Sequence, residues 1–284
     1  MKCTEPLTVS QLKELISEGS WSDSALQVVL DSAVDFLFSL LGHSFGKALR
    51  IYHDESDDAT AATVEATSTG IVLVITGGAN AGTTTYLFAD YADLTAMVDA
   101  IEQADIGFIV SLVEGISPTE KSENLHTLSA IGCLGLSNRQ VLCIQYMTET
   151  MDGTGESHIF TKLPLRAIVS ILQDGTTVTS SYYWDKTLGY IVYKYAVGSK
   201  YSKYTTDMWS LRSPCNIVVK YTPLWLRTPG FFKLILRAMC QHTIAAGAMK
   251  SESIGDYSYQ LGDIQSIIAP WWPMIAEYSV SFSP

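Results

Sequence analysis

From Ser22 to Leu41, polar residues Gln27, Asp31, Asp35 and Ser39 recur every fourth position, while Leu26, Leu30, Ala33, Leu37 and Leu40 or Leu41 fill the opposite side. That spacing is the α-helical period, so the stretch predicts a long amphipathic helix. Its apolar sector is wide enough to need more than one packing neighbour. Gly42 and Gly46 close it. Two aspartates interrupt the most apolar part, Ala25 to Leu41, which is too short and too charged for a bilayer span. The helix is therefore expected in the core of a soluble protein.

A shorter helix is expected before it, opened by Thr8-Val9-Ser10-Gln11, which has the form of a capping box, and closed near Gly19. Residues 51–157 then predict an α+β unit. Strands are expected over Thr63–Thr67, Ile71–Thr76, Thr83–Phe88, Phe108–Val113 and Gln140–Met147, with a helix over Asp93–Ala104. After residue 158 the pattern is mainly β, with strand candidates at Ile159–Lys162, Ile168–Gln173, Thr176–Tyr183, Tyr190–Tyr195 and Asn216–Tyr221. Thr228 and Pro229 read as the cap and first residue of a third helix running to about Ala246. A β-like tail is expected from Glu277 to Phe282.

Charge divides the chain. The formal net charge is −11, yet residues 51–160 hold sixteen acidic residues against Lys121 and Arg139, a charge of −14, and the remainder carries +3. Such a difference suggests two units in different surroundings. An acidic chain is a poor DNA grip, because phosphate binding needs basic patches. It can still line a passage through which DNA slides. The N-terminus, MKCTEPLTVSQLKEL, lacks the apolar stretch of a signal peptide. Five cysteines (Cys3, Cys133, Cys143, Cys215, Cys240) without CxxC spacing predict reduced, buried thiols and folding in a reducing cytoplasm.

No catalytic motif stands out. His43, His53, His126, His158 and His242 form no HExxH pattern, and there is no GxSxG elbow. The Gly77-Gly78-Ala79-Asn80-Ala81-Gly82 run lacks the Lys-Ser or Lys-Thr of a phosphate loop and leads into a β-like Thr83-Thr84-Thr85, so a hairpin connection is expected. Asp54, Glu55, Asp57 and Asp58 lack EF-hand spacing and read as a solvated loop. No cofactor and no metal are expected.

Three segments carry a resemblance. Residues 7–45, LTVSQLKELI followed by SDSALQVVLDSAVDFLFSLLGHSF, are similar to an N-terminal helix pair, with Gly42 and Phe45 matching and His43 and Ser44 standing where an arginine is common. Leu163 to Ile171 with Asp174-Gly175 looks like a strand and hairpin motif. Val218 to Thr222, then Pro229 and a helix, then Ser251-Glu252-Ser253-Ile254-Gly255-Asp256-Tyr257-Ser258-Tyr259, is similar to the most specific motif. Together they resemble the head–tail adaptor (connector) family of tailed bacteriophages. The resemblance implies an α+β fold with a helical adaptor core and a small β-sheet. That core would be discontinuous, 1–50 and 158–284, with 51–157 as an inserted acidic α+β module and 264–284 as a C-terminal docking tail.

It further implies a non-enzymatic virion protein, made in the host cytoplasm and resident in the neck. There it would form a dodecameric ring that contacts the portal and neck or tail proteins and lets genomic DNA pass without sequence-specific binding. A stopper or tail terminator is the alternative, and a cell-wall hydrolase a more distant one. Interface residues implied are Ser251, Glu252, Ile254, Gly255, Asp256, Tyr257 and Tyr259 in the motif, and Ile267, Ile268, Trp271, Trp272 and Met274 in the tail. The residues themselves leave two readings of the tail open: it covers the chain's own core, or it packs on a neighbouring subunit or portal. On the second reading, removing residues 265–284 abolishes portal binding and leaves the chain folded. The acidic module is expected on the outside of the ring or lining its channel.

Overall fold

A computed structural model describes residues 7–15, 21–55, 58–152, 158–179, 182–185, 189–193, 216–224, 228–249 and 266–279. The expectation of a helical adaptor core with a small sheet is overturned. Among the described residues the body is fourteen strands in four antiparallel sheets, and the helices are few. Strands on both sides of residue 157 make up the body rather than an accessory sheet, and Thr176–Tyr183, expected as one strand, divides between Thr176–Thr177 and Tyr182–Trp184 in different sheets.

Strands β1 (Lys47–His53), β5 (Phe108–Leu112) and β7 (Gln140–Cys143) form one sheet in the order β5-β1-β7. Strands β2 (Ala61–Ala66), β3 (Gly70–Thr76), β4 (Gly82–Leu87) and β6 (Leu128–Gly132) form a second, β4-β3-β2-β6. The GGANAG run connects β3 to β4, with Gly77 and Gly78 at positive φ. Strands β8 (Met147–Met151), β10 (Leu165–Gln173), β11 (Thr176–Thr177) and β14 (Ile217–Pro223) form a third, β11-β10-β14-β8. The fourth joins β9 (His158–Phe160), β12 (Tyr182–Trp184) and β13 (Tyr190–Tyr193). Because β8 lies in the acidic segment and pairs along its length with β14, hydrogen bonding runs across residue 157. One apolar cluster likewise extends from Ala48 to Tyr221.

The helices make a second cluster. Helix α1 (Val9–Leu15) opens with the capping box, Thr8 Oγ1 accepting from Gln11 N–H at 3.2 Å. Helix α2 (Asp23–Leu41) is capped by Ser22 and ends on Gly42 in the left-handed region. Helix α3 (Leu94–Gln103) belongs to the β body. Helix α4 (Phe232–Met249) starts later than Thr228-Pro229 predicts, after tight turn bonds from Phe232 N–H to the Pro229 carbonyl and from Lys233 N–H to the Gly230 carbonyl; the Thr228 hydroxyl accepts from buried Lys47 at 2.7 Å. Helices α1, α2, α4 and the 266–279 segment bury Leu12, Leu30, Phe38, Phe45, Phe232 and Ile268 together.

Helix α2 is long and apolar enough to cross a membrane by length and composition. In this fold its polar stripe faces the β body instead. Asp35 receives a two-pronged hydrogen bond from Arg50 of β1 (2.9 and 2.6 Å). Asp31 receives the same fork from Arg139, just before β7, and a third bond from Gln27. Planar guanidinium groups match carboxylates in this way. Two arginine forks therefore fasten the helical layer to the sheets.

The thiol expectation needs one correction. Cys133 and Cys240 are free and buried, and burial pushes both thiols up to about 12. Cys143, however, is disulfide-bonded.

Candidate functional site

The α2–β1 connection, Gly42-His43-Ser44-Phe45-Gly46, turns sharply, and Phe45 sits at a φ of 53°, a region bulky side chains rarely adopt. The packing holds it there. Phe45 lies against Phe38, His43, Phe232 and Tyr278, with ring centroids 4.5 to 6.1 Å away. Tyr278 also contacts Phe231 and Phe232. This aromatic nest anchors the C-terminal segment.

That segment is helical up to Ala276, where the sequence predicted interruption; of the expected β-like tail, residues 277–279 are turn and residues 280–282 lie outside the described residues. Pro270 lies in a 3₁₀ turn (Ala269–Trp271), and Pro273 sits in the opening turn of helix α5 (Trp272–Ala276), where a missing N–H costs nothing. The segment has two sides. Ile268 and Ile275 are fully buried in the helical cluster, and Trp271 packs against it. Trp272 and Met274 remain 43% and 40% exposed.

Both open readings of the tail thus meet in one element: an inward side that covers the chain's own core and an outward side with two large apolar residues. Ile267 is half-buried. Ser251, Glu252, Ile254, Gly255, Asp256, Tyr257 and Tyr259 lie outside the described residues. Removing 265–284 would strip Ile268, Ile275 and Tyr278 from the helical cluster, so the truncated chain is expected to lose stability as well as any docking.

Sequence reasoning missed His43. It is 3% exposed, its Nδ1 accepts from Phe45 N–H at 3.3 Å, and its Nε2 lies 2.6 Å from the Tyr278 carbonyl. Those partners fix the neutral tautomer with the proton on Nε2. Burial, with Lys162 and Lys47 nearby, lowers its pKa to about 4 against the opposing pull of the Tyr278 carbonyl. The available signal was its position between two closing glycines.

A second polar centre lies along β8. On one side, Glu120 Oε1 accepts from Asn124 Nδ2 (2.6 Å), Lys121 N–H (3.1 Å) and Thr148 N–H (3.2 Å). On the other, Glu149 accepts the Tyr221 hydroxyl proton and the Lys162 N–H (2.9 and 3.0 Å). Burial raises the pKa of both carboxyls, and each donor pulls back part of that rise. Burial and the Glu149 charge raise Tyr221 well above its ordinary value, which keeps it a donor. These groups seam β8 to its neighbours. Tyr221→Phe is expected to destabilise the protein by about 1.5–3 kcal/mol, the range for a hydrogen bond to a charged group. Urea unfolding measures this, and an unchanged midpoint would show the bond to be dispensable.

A cleft of about 620 Å³ lies between α1, the start of α2 and residues 136–141. Its two cations are already engaged, Lys13 with Asp23 and Arg139 with Asp31. No group of three or more His, Cys, Asp or Glu suited to a metal ion occurs among the described residues. Comparison with family models, with curated proteins and with solved structures found no match to the chain.

Proposed function

We propose that the chain is a non-catalytic structural subunit of a tailed-phage neck. In this reading it assembles as a dodecameric ring between portal and tail, and genomic DNA passes through without sequence-specific contact. It meets the portal through its C-terminal segment. The observation that carries the proposal is the two-sided helix α5: Ile275 and Tyr278 anchor it, and Trp272 and Met274 stand out to solvent. Tryptophan and methionine exposed on a rigid, anchored support are favourable interface residues. The order of the adaptor-like motifs along the chain adds to it. The acidic 51–157 segment would then face the outside or the channel of the ring.

One observation favours the second reading, a stopper or tail terminator. Such proteins are more purely β, and this body is four antiparallel sheets. Both readings require a ring, so negative-stain imaging of the purified chain with its cognate portal tests them together. Class averages with rotational symmetry are expected. Trp272→Ala with Met274→Ala is expected to weaken portal capture at least tenfold while the far-ultraviolet spectrum stays native, consistent with interface hot spots of about 1.4 kcal/mol or more. A chain that stays monomeric with and without portal would overturn the proposal.

A further inference from the structure

We infer that the free edge of β4 is a pairing site for β4 of a second copy of this chain. Each sheet edge exposes a row of N–H and C=O groups, and proteins blunt such rows with charges, prolines, bulges or covers. This protein does so elsewhere. Along β8, the Glu120 carboxyl takes up Thr148 N–H. On β6 the ladder is irregular between Val64 and Ala66, and the Gln140 amide donates to the Gly132 carbonyl. Strand β10 carries two register shifts, an exposed Arg166 and a bond from Val178 N–H to the Ile171 carbonyl.

Strand β4 has none of these. Its sequence, Gly82-Thr83-Thr84-Thr85-Tyr86-Leu87, contains no charge and no proline, and its pairing with β3 is regular. The Phe88 N–H to Thr69 carbonyl bond sets the phase of that ladder. Even-numbered residues of β4 therefore bond to β3, and Thr83, Thr85 and Leu87 turn their backbone groups outward. Among the described residues only the Leu87 carbonyl of these groups is taken, by the N–H groups of Asp90 and Tyr91. The edge is open: Thr83 and Thr85 are exposed, Leu87 is 42% exposed, and a side chain placed at Gly82 would meet nothing within 4 Å.

The charge pattern fits a second copy. Antiparallel pairing centred on Thr85 sets Thr83 opposite Leu87 of the other copy and allows about four backbone hydrogen bonds. In that register Asp90, the nearest carboxylate in the chain, falls opposite Asn80, so no like charges meet across the seam. The outward face beside it continues the theme, with Thr63, Val72, Val74, Thr83 and Thr85 and only Glu65 ionisable. A two-fold contact closes on itself. It is therefore separate from any head-to-tail ring contact and does not rest on the ring reading.

Sedimentation of the purified full chain over a wide concentration range tests this. A concentration-dependent pair is expected, and added salt should favour it by screening the −14 segments from each other. Thr83→Lys with Thr85→Lys should remove the pair while melting as the wild type does, because both side chains are exposed; Thr85→Val should retain it. A wild type with no paired species, or a double-lysine variant that pairs as the wild type does, overturns the inference. Rings that persist in the double-lysine variant leave the ring proposal standing. Pairs without rings separate the two in the other direction.

Discussion

Replacing Arg50 or Arg139 with alanine is expected to lower the stability of the protein by about 3 kcal/mol in each case, the cost of breaking a buried ion pair from one side. Arg50 is 7% exposed, and the Arg139 side chain only 5%. Their partners are more accessible, with Asp35 at 35% and Asp31 at 25%, so water recovers part of the loss and the low end of the usual range applies. The forks matter because α2 otherwise meets the sheets with a polar stripe. Without guanidinium groups, Gln27, Asp31 and Asp35 would face a buried surface incompletely paired. Urea unfolding followed by circular dichroism should show a lower midpoint at unchanged slope. Arg50→Lys should fall between, keeping the charge and losing the fork. Pairing Arg50→Ala with Asp35→Ala should recover part of the loss, since the stranded carboxylate is gone. An Arg50→Ala midpoint equal to wild type would show that apolar packing alone holds the layers together.

The same stripe shows what the sequence could and could not convey. Ser22, the i+4 polar spacing and Gly42 are local signals, and each marks a real feature of α2. The arginines that meet the stripe lie 15 and 108 residues away, a relation no periodicity encodes. Strand β1 was illegible for a related reason. Lys47, Arg50 and His53 are buried in a central strand, so it lacks the apolar alternation that marks strands. Lys47 and Arg50 find their partners, Thr228 and Asp35, on other elements, and His53 Nδ1 accepts from the nearby Glu55 N–H. Most β strands after residue 158 were visible through their Ile, Val, Thr and Tyr content, although Thr176–Tyr183 read as one strand where there are two. What stayed hidden was that β8 pairs with β14, which turns apparent modules into one bonded body. In the C-terminal segment, the apolar character of Ile267 to Ile275 was plain. The inward and outward division was not, because prolines near the start of short helical turns look the same in sequence as prolines that break them.

Acidification should loosen the C-terminal segment, and His43 is the group responsible. Its Nδ1 accepts from Phe45 N–H and its Nε2 donates to the Tyr278 carbonyl, so a second proton has no acceptor and opposes an existing donor. Lys47, whose ammonium lies over the Phe38 and Phe45 rings, and Lys162 add positive charge nearby. The folded pKa is lowered to about 4 from 6.5. Between those values the unfolded chain binds the proton and the folded one does not, so stability is full above 6.5 and is lost as pH falls through 4. The span corresponds to at most about 3 kcal/mol.

Glu120 and Glu149 work in the opposite direction. Their raised folded pKa values favour the folded state as pH falls, so the wild-type profile is a sum of opposed slopes. His43→Gln isolates the histidine. It should be less stable than wild type at neutral pH and converge toward it as pH falls from 7 to 4. Hydrogen exchange should show amides of residues 272–279 opening in the wild type over the same interval, with little further change in the variant. A stability difference that stays constant across that range would mean that His43 does not hold the segment through its protonation state.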